Sequence, residues 1–199
     1  MATKRNHGTE EHGQGGGMSD EAKMYLRFAA MITTSMVVMY FTMFAGTWEW
    51  DHVRFSESRV FMALTMGGTM GLIMLAWMLN MYKSVKGNIA IVAASLLLFG
   101  GGVFLDRSQV TVDDRNWMSA MIPHHSLAIT RSERADIDDV RVCQLAVEII
   151  RAQEREIAEM EWLIQDIEEN GEAETLEEAQ ARPVPEFDAS ALRDCQSLD

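Results

Sequence analysis

Three long apolar runs, at residues 24–45, 60–82 and 88–105, are separated by short polar connections, and beyond them the pattern changes. Each run is close to the roughly 20 residues that a helix needs to cross a bilayer. The first is broken only by Arg27 and by small hydroxyls such as Thr33, Thr34 and Ser35. It is too long for the core of a signal peptide and no small-residue cleavage site follows, so it reads as a retained helix. Beyond residue 106 polar and apolar positions interleave with a helical period. Thr111 is a candidate N-cap for a helix running to about Ala135. Asp136 to Asp139 break it, and Asp138 can cap a second helix with Val142, Ala146, Ile149, Met160, Ile164 and Ile167 along one seam. Gly171 is a plausible stop. The pattern predicts an all-α protein: a disordered leader at 1–23, a three-span membrane domain at 24–106, an antiparallel helical hairpin at 107–170 and an acidic disordered tail at 171–199.

Charge orients this plan. Acidic and basic residues balance in the first 106 residues, so the net charge of −13 belongs to the second half. An acidic soluble part argues against nucleic acid, whose binders need a basic face. Lys4, Arg5, Lys23, Arg27, Lys83 and Lys86 fall on one side of the three spans, and Arg54, Arg59, Arg107 and Arg115 on the other. That bias places the N-terminus in the cytoplasm and the hairpin outside a cell (inner) membrane, in the periplasm or its equivalent. The lipid bilayer is then the first partner. Gly67 and Gly71 form a G-x-x-x-G that lets a neighbouring helix approach and would suit pairing of two chains in the membrane. Met62, Met66, Met70, Met74 and Met78 recur every fourth residue. Each such step drifts about 40° round a helix, so this stripe cannot face one pore throughout, and packing explains it better than a metal pathway.

The chemistry concentrates in Met118-Ser-Ala-Met121-Ile-Pro-His124-His125. At about 100° per residue these two thioethers and two imidazoles share one broad helix face. Thioether sulfur suits Cu(I), and imidazole suits copper, zinc, iron and nickel, so the mixture favours copper. The plain alternative is packing, with each His bonded to a neighbour. Pro123 gives no N–H to the carbonyl four residues back and should bend the helix. Folding the hairpin about residue 137 sets Met121 level with Gln153 and Met118 level with Glu156, which makes Gln153 and Glu156 accessory candidates. His52, in the first loop, would lie on the same outer side and is a third. Cys143 reads as a small buried hydrophobe. Cys195 lies in the tail, and a disulfide would require an oxidising compartment.

Met121-Ile-Pro-His124-His125, Ala128 and the downstream Gln153, Glu156-Ile157, Met160 and Trp162-Leu163 together resemble the domain of unknown function 305 family, over roughly residues 110 to 168. The resemblance implies an extracytoplasmic copper-binding protein with a ferritin-like helical arrangement, of which this hairpin would be half a bundle. It implies metal-binding side chains at Met118, Met121, His124, His125 and Met160. Arg131 stands where many relatives have another Met. The expected function is copper storage, buffering or delivery, with Cu(I) favoured over Cu(II) or Zn(II) and with a copper donor or acceptor protein as partner. A metal-independent interaction module is the first alternative, and a copper-dependent redox enzyme the second. No acid–base or organic-cofactor motif speaks for an enzyme. A lone two-helix hairpin is marginal, so a homodimer through the hairpin is expected, with docking on the first loop as the competing arrangement.

Overall fold

The computed structural model describes residues 19–195. The first 18 residues of the expected leader and the last four of the expected tail lie outside the described residues. Six α-helices follow in order: α1 (Asp20–Thr42), α2 (Glu57–Met78), α3 (Val85–Ser108), α4 (Asp114–Arg134), α5 (Val140–Asn170) and α6 (Leu176–Ala181). A single 3-10 turn, Trp50–His52, lies between α1 and α2. Hydroxyl caps start the first three helices: Ser19 accepts from Ala22 N, Ser56 from Arg59 N and Ser84 from Gly87 N. Each satisfies one backbone donor that a helix N-terminus leaves open. The helices α1, α2 and α3 are long and apolar enough to cross a membrane.

α2 lies between α1 and α3, and its glycines set the spacing. A Cβ at Gly68 would stand 2.5 Å from the Ser95 carbonyl oxygen and 2.6 Å from the Phe99 nitrogen. On α3, a Cβ at Gly102 would come 2.8 Å from the Phe61 carbonyl oxygen. The expected G-x-x-x-G is used inside the chain: Gly67 lies against the Met36 side chain of α1 and Gly71 against Ser95 of α3. It is therefore not a free face for a second chain, because the small residues already admit two neighbours of their own. The methionine stripe divides as its drift requires. Met70, Met74 and Met78, with Met24 and Met36, pack round Phe28, Ile32, Leu75 and Tyr82, whereas Met62 and Met66 are exposed.

α4 and α5 pack on one another through Ile122, Ile129, Ile150, Ile157 and Ile164, with Met118 and Met160 in the same cluster. They run in opposite senses, since His125 meets Glu156 and Arg115 meets Glu168. Two caps shift from their expected places. Asp113, not Thr111, caps α4 by accepting from Asn116 N. Thr111 instead donates to Glu57 at the start of α2. Asp139, not Asp138, caps α5 by accepting from Arg141 N, and its carboxylate also pairs with the Arg141 guanidinium. That hydrogen bond holds the Asp139 carboxyl below its ordinary range. α4 continues through the buried Pro123 without ending there.

Two segments close over this pair. The α1–α2 connection docks on it: Trp48 N donates to Ser126 Oγ (2.7 Å), Arg54 pairs with Glu161 (2.8 Å), and the Arg134 guanidinium stands 5.5 Å over the Trp48 ring. The tail, expected to be disordered, is a strap from Gly171 to Cys195. α6 begins with a reciprocal capping box between Thr175 and Glu178. Arg182 then pairs with Asp166, Ser190 N donates to Glu154, and Arg193 donates to the Ser132, Glu133 and Ala135 carbonyls. Those carbonyls end α4, so Arg193 supplies the partners that its C-terminus lacks. Cys143, fully buried, is disulfide-bonded to Cys195 rather than standing as a free hydrophobe.

Candidate metal site on the α4–α5 seam

Met118, Met121 and Met160, and beside them His125, Glu156 and Gln153, gather along the α4–α5 contact, in a register different from the expected one. His125 Nδ1 lies 3.5 Å from Glu156 Oε2. The antiparallel register is therefore centred near residue 141 rather than 137. Met121 is level with Met160, and Glu156 with His125, instead of Met121 with Gln153 and Met118 with Glu156. Met118 and Met160 are buried in the isoleucine cluster, and Met121 packs against it half-buried. Three thioethers from two helices thus share one cluster, and His125 lies one helical turn along α4 from Met121.

The imidazoles differ. His124 is exposed, with its ring 5.9 Å from that of His125. The His125 side chain is only 13% exposed. Burial pushes its pKa below the ordinary 6.5, with Glu156 acting in the other direction and His124 adding to the depression. The proton-free ring is the form that can ligate a metal. Its Nδ1 is closed off from solvent without a hydrogen-bond partner, since the 3.5 Å approach to Glu156 lacks bonding geometry. Gln153 Nε2 reaches the same Glu156 oxygen at 3.4 Å.

His52 is not part of this group. Its Nδ1 lies 2.8 Å from Ser126 Oγ, on the flank of α4 covered by the α1–α2 connection. Glu49, His52 and Ser126 follow one another in the order of acid, base and nucleophile, with Glu49 3.9 Å from His52 Nε2. Ser126, however, is fully buried and already accepts from Trp48 N, so no substrate reaches it and the row is a tether. The sequence reading missed Ser126 altogether. Its signal was a hydroxyl at a position facing the helix interior, where a buried polar group requires a partner.

Among the described residues no three His, Cys, Asp or Glu side chains converge so as to hold a metal ion. A donor set on this seam must include thioether sulfur, and the residues present fit a soft ion of low coordination number better than one requiring a full set of imidazole, thiolate or carboxylate ligands.

The fold and the seam define a class: an all-helical chain in which three apolar helices carry a packed helix pair with methionine and histidine along its contact. Residues 105–190 match the family described as "Domain of unknown function (DUF305)", and the chain belongs to that family. It is 36% identical over 104 residues to the "Uncharacterized protein L153" of Acanthamoeba polyphaga mimivirus, an alignment covering 49% of this chain and 68% of that protein. No solved structure matches.

Proposed function

We propose that this is a membrane-anchored copper-binding protein, with the α4–α5 hairpin on the extracytoplasmic side and Cu(I) as its preferred ion, serving storage, buffering or delivery to a partner protein. The observation that carries the reading is the convergence of Met118, Met121 and Met160 with His125 on one helix contact. Met118, Met121 and His125 would hold the ion with Met160 and the exposed His124. Bound copper would supply only its affinity for soft donors, and the chain would hold it at a neutral imidazole and exclude water with the isoleucine cluster. The disulfide between Cys143 and Cys195 supports the orientation, since such bonds persist in oxidising compartments. The hairpin is read as half of a ferritin-like bundle.

The test is a Cu(I) titration of the full chain against a competing chelator. Met118→Leu with Met121→Leu keeps volume and removes sulfur, and affinity should fall about tenfold or more at unchanged helicity. His124→Ala with His125→Ala should lower it as well. Unchanged Cu(I) affinity in the Met double variant removes the thioethers from the site. For the orientation, Cys195 should react with an impermeant thiol reagent on intact cells after reduction, and labelling only after lysis would reverse it.

One observation favours a second reading. Val142, Leu145 and Ile149 form an exposed apolar stripe on α5, beside the seam and away from the flank that the α1–α2 connection covers. A hairpin that assembles with a second copy through this stripe would be an interaction module whether or not it binds copper. Mass measurement in nanodiscs, with Leu145→Asp as control, separates the two: a chain that stays monomeric at high concentration leaves the copper reading alone.

A further inference from the structure

We infer that Gln153 and Glu156 are positioning residues that hold the His125 imidazole in its Nδ1–H tautomer and leave Nε2 as the nitrogen with a free lone pair. The inference rests on the copper reading only for what Nε2 then meets.

Three observations carry it. His125 Nδ1 is shut off from solvent and has no hydrogen-bond partner. The group facing it is the Glu156 carboxylate, with Oε2 at 3.5 Å. That same oxygen is approached by the Gln153 amide nitrogen at 3.4 Å, one turn back on α5. A neutral imidazole carries one N–H and one lone pair. With the lone pair on Nδ1, a buried acceptor would face an anionic oxygen, with repulsion and an unsatisfied ring nitrogen in place of one bond. With the proton on Nδ1, the short closure of a 3.5 Å gap to hydrogen-bond distance gives the buried ring nitrogen its partner. Gln153, donating to Glu156, limits the rotamers from which the carboxylate can make that closure. Sequence spacing favours the device as well, because residues 153 and 156 are neighbours on one helix face. A metal-ligating His commonly donates its other ring N–H to a carboxylate, which fixes the ring and strengthens the ligand nitrogen.

The tautomer is read without metal. Long-range 1H–15N correlation of the full chain in nanodiscs at about pH 8, where imidazoles are neutral, should show His125 protonated at Nδ1. Free imidazole side chains in water prefer Nε2–H, so Glu156→Ala should return His125 to that form, and Gln153→Ala should give a mixture, with the His124 signals unmoved. Wild-type His125 found as Nε2–H overturns the inference, as does an Nδ1–H form that persists in Glu156→Ala. Should Glu156→Ala fail to fold, the wild-type tautomer and the Gln153→Ala mixture still decide. With Cu(I) added, Glu156→Ala should bind about 10–100-fold more weakly than wild type. Equal affinity in the two overturns the positioning role. A wild type that shows the Nδ1–H form and its loss in Glu156→Ala, yet takes up no copper, upholds the tautomer device while the copper reading fails.

Discussion

Ser126 and His125 are adjacent on α4 and serve different flanks. Ser126 Oγ holds Trp48 N and His52 Nδ1 in a fully buried position, so Ser126→Ala leaves two polar groups without partners. The expected loss is about 1–3 kcal/mol, and thermal unfolding in detergent should show it, together with faster proteolysis between residues 43 and 56. His125 gives a pH dependence. Burial sets its folded pKa below 6.5. Between that lowered value and 6.5 the unfolded chain binds more proton than the folded one. The His125 contribution to stability is thus complete above pH 6.5 and declines as pH falls through the window. Denaturant midpoints measured across pH 5 to 7.5 should show the decline, and His125→Gln should flatten it. At this scale the sequence was a good guide to which residue types gather and a poor one to their states. Spacing alone put Met118, Met121, His124 and His125 on one face, but it could not tell that His124 is exposed and His125 closed in, because that depends on the opposing helix.

The helices themselves were legible because apolar runs and amphipathic periods are local signals. The expected spans at 24–45, 60–82 and 88–105 correspond to α1, α2 and α3 with ends moved by a few residues. The caps moved because Thr111 and Asp113, like Asp138 and Asp139, lie within two residues of each other and can each cap a helix. The register of α4 against α5 was wrong by seven residues along α5 for a clearer reason. Ile122 and Ile129 are seven apart, and so are Ile150, Ile157 and Ile164. Sliding one helix by seven residues returns isoleucine to isoleucine, so the isoleucine pattern alone fits both registers, although the slide exchanges Met160 for Gln153 opposite Met121. The contacts that choose between them, Arg115 with Glu168 and the docked α1–α2 connection, are not periodic. Packing in the apolar part gives a sharper test. Gly68→Ala drives a methyl into the Ser95 and Phe99 backbone and should sharply lower the yield of folded protein in detergent. Gly100→Ala and Gly101→Ala meet nothing within 4 Å and should gain about 0.5–1 kcal/mol of helix stability.

Across the whole molecule the strap from Gly171 to Cys195 is what composition concealed. An acidic segment with Pro183 and Pro185 looks unable to pack, yet Arg182 and Arg193 find a carboxylate and a set of helix-ending carbonyls, and a covalent bond supplies the rest. Linking residues 52 apart restricts the unfolded chain by about 4 kcal/mol on a loop-entropy account. Cys195→Ser should show a loss of that order in denaturant unfolding, and reduction of wild type should reproduce it. The same bond decides which sulfurs are available for chemistry. With Cys143 and Cys195 oxidised, the described residues contain no free thiol, and the sulfur left to meet a metal would be thioether. Dithiothreitol or glutathione, added to keep copper monovalent, would open the strap and create two thiolates that outcompete every methionine in the chain. Copper bound under those conditions would report on the broken clasp, whereas ascorbate or hydroxylamine as the reductant leaves the competition to methionine and histidine.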